Sequence, residues 1–205
     1  MKPSFRVLIA LTLLSALLLL PFAVSDLYLA TLRDHGFERF RVYEFLRGDL
    51  YKQATGFTAL LFVLLEMGLT LRKRGLRWKI RLPKSMIFWR VLHIFLGVGL
   101  LGVVLIHTVG ATGLNFNAVF LWVFFGVTLS ALVGVVAETG VLESGLRKFQ
   151  LIPKAFGPLA KLSPVVGKGA LIRDMRGIWL STHIFLVCLF FIMLGFHIFF
   201  AYYYQ

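Results

Sequence analysis

Two stretches decide how this chain folds: Trp89–Thr108, WRVLHIFLGVGLLGVVLIHT, and Trp179–His197, WLSTHIFLVCLFFIMLGFH. Each is an apolar run of about the 20 residues that a helix needs to cross a ~30 Å hydrocarbon core. Each also carries two histidines fourteen positions apart, His93 and His107 in the first, His183 and His197 in the second. At about 3.6 residues per turn this spacing is close to four turns, so both histidines of a pair share one side of their helix, roughly 21 Å apart along it. Imidazoles in lipid are costly without a partner or ligand. Four of them at equal spacing on two helices point to shared ligands, because a histidine used only for packing or proton relay has no reason to repeat this way.

The rest of the chain is also built for lipid. Of 205 residues, 59% are hydrophobic and 15% charged, with a mean hydropathy of +0.86. A soluble domain of this size cannot clothe that much apolar surface. The strand-length alternation of a membrane barrel is missing, so the expected fold class is an all-α integral membrane protein. Five spans are expected, about Val7–Val24, Tyr51–Leu71, Ile87–Ala111, Ala118–Val141 and Ile178–Tyr203, the last four forming a four-helix bundle. This divides the chain into an N-terminal transmembrane anchor (1–25), an external loop (26–50) and a four-helix core (51–205). Lys2 and Arg6 ahead of an apolar stretch closing on Ala23-Val24-Ser25 also fit a signal peptide; a retained anchor is the reading adopted. In the external loop, Leu32, Phe37, Phe40, Tyr43, Phe45 and Leu46 recur among charges, as in a short helix lying on the membrane surface.

The formal charge of +13 would suggest nucleic acid in a soluble protein. Here the basic residues concentrate in two loops between spans, which marks topology and excludes a nucleic-acid partner. One loop holds Arg72, Lys73, Arg74, Arg77, Lys79, Arg81 and Lys84 without an acid; the other holds Arg147, Lys148, Lys154, Lys161, Lys168, Arg173 and Arg176 against Glu143 and Asp174. Both belong on the cytoplasmic side, giving a multi-pass protein of the cell membrane with its N-terminus inside and its C-terminus outside. Pro153, Pro158 and Pro164 make the second loop mostly irregular, a place where a partner could dock. The single cysteine, Cys188, rules out a disulfide framework, a thiolate metal site and covalent haem attachment, and reads as a small buried hydrophobe.

With this topology the third and fifth spans run in the same direction, and like depth meets like depth. His93 and His183 can ligate opposite faces of an inner haem iron, and His107 and His197 those of an outer one. Gly97, Gly99, Gly102 and Gly195 would let a flat macrocycle approach the backbone, or equally let helices pack closely. Arg90, one turn before His93, is the best placed basic group for a haem propionate, ahead of Arg176 and Lys84. Thr108 and Thr182 adjoin histidines and can bond a ligand or a helix carbonyl.

On these two stretches the chain resembles the two-haem cytochrome b class of membrane proteins, which includes the cytochrome b subunits of quinol oxidoreductases and ferric-reductase-like membrane domains. The resemblance covers two of the five spans. It implies two haem b groups with His93, His107, His183 and His197 as axial ligands, and spans two to five as the core. A sixth span, a flavin and nicotinamide domain and the Pro-Glu-Trp-Tyr motif of the large cytochrome b proteins are absent from the sequence.

The expected function is electron transport in a respiratory chain, between the quinone pool and a redox partner such as a cytochrome, an iron–sulfur protein or a flavoprotein. The chain would then be the electron-transfer subunit of an oxidoreductase complex. Two alternatives stay open: a ferric-reductase-like haem conduit fed by a separate flavoprotein, and a haem-free proton-coupled or metal transporter. Glu66 and Glu138, near the cytoplasmic ends of spans two and four, are the candidates for proton or quinone chemistry, or else acids paired with a nearby Arg or Lys.

Overall fold

A computed structural model describes residues 3–23, 45–46, 48–75, 81–108, 115–150 and 164–203. Within these the chain forms helices α1 (Phe5–Ala23), α2 (Asp49–Arg74), α3 (Met86–His107), α4 (Phe116–Glu143) and α5 (Lys168–Tyr203). Between α4 and α5, strands β1 (Lys148–Gln150) and β2 (Val165–Gly167) pair antiparallel, with Phe149 opposite Val166. Helices α2 to α5 are long and apolar enough to cross a membrane, which fits a multi-pass membrane protein; the apolar stretch Phe5–Leu20 of α1 is shorter.

The helix ends follow local chemistry. Ser85 accepts the Phe88 N–H at the start of α3, and Asn115 accepts the Ala118 N–H at the start of α4. At the far ends, lysines on other helices take up orphan carbonyls. Lys52 donates to the His107 carbonyl at 2.7 Å, and Lys168 to those of Leu142 and Ser144 at 2.8 and 2.7 Å.

The helices pack as two antiparallel hairpins, α2 with α3 and α4 with α5. Helix α1 lies along α4, where Leu8 and Leu19 are buried. The hairpins meet mainly through α3 and α4, and among the described residues the backbones of α3 and α5 hardly approach each other. At mid-depth the hairpins share a core of Val63, Leu100, Leu101, Leu121, Phe124, Phe125 and Phe190, joined by Leu19. Apolar side chains such as Leu61, Leu64, Phe185, Ile192 and Phe196 point outward, as lipid-facing positions should.

Three local expectations need revision. Helix α5 begins at Lys168, not near Ile178, because Ala170-Leu171-Ile172 and Arg173 to Arg176 sustain a helix through the flanking glycines. The loop between α4 and α5, expected to be mostly irregular, is closed at its base by the β1–β2 pair. Cys188 is exposed, not buried: five residues on from His183 it lies well round α5 from the histidine side. Most of the expected surface helix of residues 26–50, and residues 151–163 of the internal loop, lie outside the described residues.

Candidate cofactor site

The four membrane histidines meet in two pairs, one from each hairpin. His93 on α3 faces His183 on α5 with ring centroids 6.4 Å apart and planes at 87°. His107 faces His197 at 6.1 Å and 86°. Because the first histidine of each helix meets the first of the other, and the second meets the second, α3 and α5 run parallel.

Each ring is held from behind by the other helix of its own hairpin. His107 Nδ1 lies 3.0 Å from Thr55 Oγ1 on α2, and His197 Nδ1 lies 2.9 Å from Asn117 Oδ1 on α4. His183 Nδ1 has two oxygens at 3.2 Å, Ser130 Oγ and the Val127 carbonyl, both on α4. His93 Nδ1 is in ion-pair contact with the carboxylate Oε2 of Glu66 on α2, without the geometry of a formed hydrogen bond. An acceptor behind Nδ1 places the proton there and leaves Nε2 as the nitrogen available to a ligand, the arrangement common to metal-binding histidines.

The separation has a simple metric meaning. A metal bonded to two opposed Nε2 atoms at about 2.0 Å, with about 1.1 Å more to each ring centre, sets the centroids about 6.2 Å apart. Both pairs lie within 0.2 Å of that spacing. Among the described residues no cluster of three or more His, Cys, Asp or Glu could hold a metal ion. Two protein ligands per site suit a metal that brings its other ligands with it, as iron in a porphyrin does. The donor set, its spacing and its outward-bonded Nδ1 atoms therefore fit a haem at each level.

Tryptophans set the His93–His183 level. Trp89 and Trp179 each stand one turn before a histidine, and each lies over a glycine of the partner helix in its hairpin. A Cβ on Gly68 would come within 2.5 Å of the Trp89 ring, and one on Gly134 within 2.5–2.8 Å of three Trp179 ring carbons. No other residue allows that approach. Trp89 is further fixed by its Nε1–H, which donates to the Pro83 carbonyl at 2.8 Å.

Between the two levels lies an apolar layer. Leu100 is seven residues from both His93 and His107, Phe190 seven from both His183 and His197, and both are buried. Phe190 stacks on Phe120 at 5.3 Å and abuts Phe124 at 5.8 Å; Phe120 also lies 5.3 Å from the His197 ring.

The remaining candidates are distributed differently. Arg90 is exposed at the His93 end, within electrostatic reach of Lys73, and the buried Nε of neighbouring Arg72 has no hydrogen-bond partner. Gly97 borders the Glu66 carboxylate and Gly99 the Phe62 ring, whereas Gly102 and Gly195 face open space. Glu138 on α4 is ion-paired with Arg176 on α5, so that arginine already has a counter-charge. Thr108 donates to the Val104 carbonyl at 2.8 Å and closes its own helix.

Sequence reasoning found the histidines but not their supports Thr55, Asn117 and Ser130, nor the two Trp–Gly contacts. One signal was available. Trp89, His93-Ile94-Phe95-Leu96 and His107 recur as Trp179, His183-Ile184-Phe185-Leu186 and His197, each ninety positions later, so the two hairpins present the same wall. Comparison of the chain with protein-family models, with curated proteins and with solved structures finds no match.

Proposed function

We propose that this chain is a dihaem b-type membrane cytochrome that passes electrons across the bilayer between the quinone pool and a redox partner. The observation that carries this reading is the pair of opposed imidazoles at 6.4 and 6.1 Å, every ring backed at Nδ1 by a neighbouring helix. In the proposed arrangement α2 to α5 form a four-helix bundle. His93 and His183 bind the inner haem, His107 and His197 the outer one, and the basic loops keep the inner level on the cytoplasmic side.

When bound, haem supplies one-electron chemistry at fixed positions. The protein's part is geometric and dielectric. Thr55, Asn117, Ser130 and Glu66 orient the imidazoles, and Trp89 and Trp179 brace the inner level. Leu100, Phe124 and Phe190 exclude water from the middle of the path. That dry layer supports an electron conduit over a haem-free transporter, which needs a continuous polar route for its ion. Arg90 and Arg72 are the basic groups available to inner propionates, and a quinone can approach from the lipid side.

The test is a reduced-minus-oxidised visible spectrum of the purified chain, with haem counted per polypeptide. Two haems per chain, reducible by a quinol, are expected. A colourless preparation overturns the reading; haems that accept electrons only from a flavoprotein remove the quinone from it.

A further inference from the structure

The supports behind the four histidines are not equivalent. Three Nδ1 atoms face neutral oxygens: Thr55 Oγ1, Asn117 Oδ1, and Ser130 Oγ with the Val127 carbonyl. The fourth, that of His93, faces a carboxylate. Glu66 sits inside α2 with its side chain only 15% exposed, and its second oxygen, Oε1, is buried beside Gly97 without a hydrogen-bond partner. Among the described residues no lysine or arginine forms an ion pair with it, so His93 is the group it addresses.

A carboxylate held against Nδ1 of a histidine pushes electron density into the imidazole and makes its Nε2 a stronger donor. A more electron-rich axial ligand favours the ferric over the ferrous state, and so lowers the reduction potential of the iron it holds. Burial strengthens the effect, because a carboxylate only 15% exposed is poorly screened by solvent. At the outer level the amide of Asn117 and the hydroxyl of Thr55 exert no such push.

We infer that Glu66 is a positioning residue that sets the inner haem at a lower potential than the outer one. An electron on the inner iron then passes outward: the inner ferrous iron is oxidised to ferric as the outer ferric iron is reduced to ferrous, and no other reactant takes part. With one electron in the protein, it resides on the outer haem. This inference rests on the dihaem reading and adds to it the direction in which the protein itself draws charge.

The test is spectroelectrochemical titration of the full-length chain and of two near-isosteric variants. Wild type should show two waves, the lower one missing in His93→Leu. Glu66→Gln should raise the lower wave by at least a tenfold change in the redox equilibrium, about 59 mV for one electron, and leave the upper wave in place. Asn117→Asp supplies the converse by placing a carboxylate behind His197; it should lower the upper wave, by less, because Asn117 is exposed. If haems are bound and Glu66→Gln moves the upper wave or neither, the inference fails while the dihaem reading stands. If Glu66→Gln sheds the inner haem, the Asn117→Asp arm decides alone, and an unmoved upper wave overturns the proposal. A preparation without haem removes the proposal and the dihaem reading together.

Discussion

Replacing Gly134 by alanine should weaken the inner haem site and leave the outer one intact. The added Cβ would stand 2.5, 2.7 and 2.8 Å from three carbons of the Trp179 indole. Restoring ordinary contact at about 3.4 Å requires the ring to retreat by roughly 0.6–0.9 Å, and a rigid bicyclic side chain cannot do this by bending its tip. The retreat is passed to α5, where the His183 ring lies 6.4 Å from the indole and one turn further along. Overpacking of this kind costs about 1–3 kcal/mol, and if that strain is relieved only by moving His183, inner haem affinity falls about 5- to 150-fold. The assay is haem retention during dilution of the purified variant, resolved by redox titration into its two components. Gly68→Ala should act in the same direction through Trp89, but more weakly, since only one ring carbon comes as close as 2.5 Å. Equal loss of both haems, or no loss in either variant, would refute the idea that the Trp–Gly contacts brace one level only.

Other perturbations separate the supports from the core. Thr55→Val removes the oxygen 3.0 Å behind His107 and should reduce outer haem affinity about 10- to 100-fold, read by the same dilution assay. Ser130→Ala should cost less, because the Val127 carbonyl still faces His183 Nδ1 at 3.2 Å. Leu100→Ala should destabilise the fold by about 2–5 kcal/mol in reversible unfolding from detergent micelles, with both haems retained at saturation. Glu138→Gln, which breaks the pair with half-exposed Arg176, should change stability by no more than about 1 kcal/mol and leave both redox waves unmoved.

The histidine ladder was legible because fourteen residues is almost a whole number of turns, and the parallel run of α3 and α5 because a single span lies between them. The supports were not. Thr55, Ser130 and Asn117 are ordinary helix residues until α2 and α4 are docked, and which of their faces meets α3 or α5 is decided by packing, not by periodicity. Glu66 was singled out for proton or quinone chemistry or for pairing with a nearby Arg or Lys, but its partner is His93, on another helix twenty-seven positions away. The extension of α5 back to Lys168, ahead of the expected span, was not legible because the prolines made the whole loop read as irregular; Gly169 and Gly177 each cost a helix only about 1 kcal/mol, which the favourable residues around them offset.

The cross-helix pairing is tested most directly by counting haem in His93→Leu, His183→Leu and the double variant, beside the matching set at His107 and His197. Each single replacement should leave one haem per chain. Each double within a level should leave the same one, whereas a double across levels, such as His93→Leu with His197→Leu, should leave none. If instead the double at His93 and His183 removes both haems while the double at His93 and His197 retains one, the pairs are not those defined by the 6.4 and 6.1 Å ring contacts, and the account is wrong.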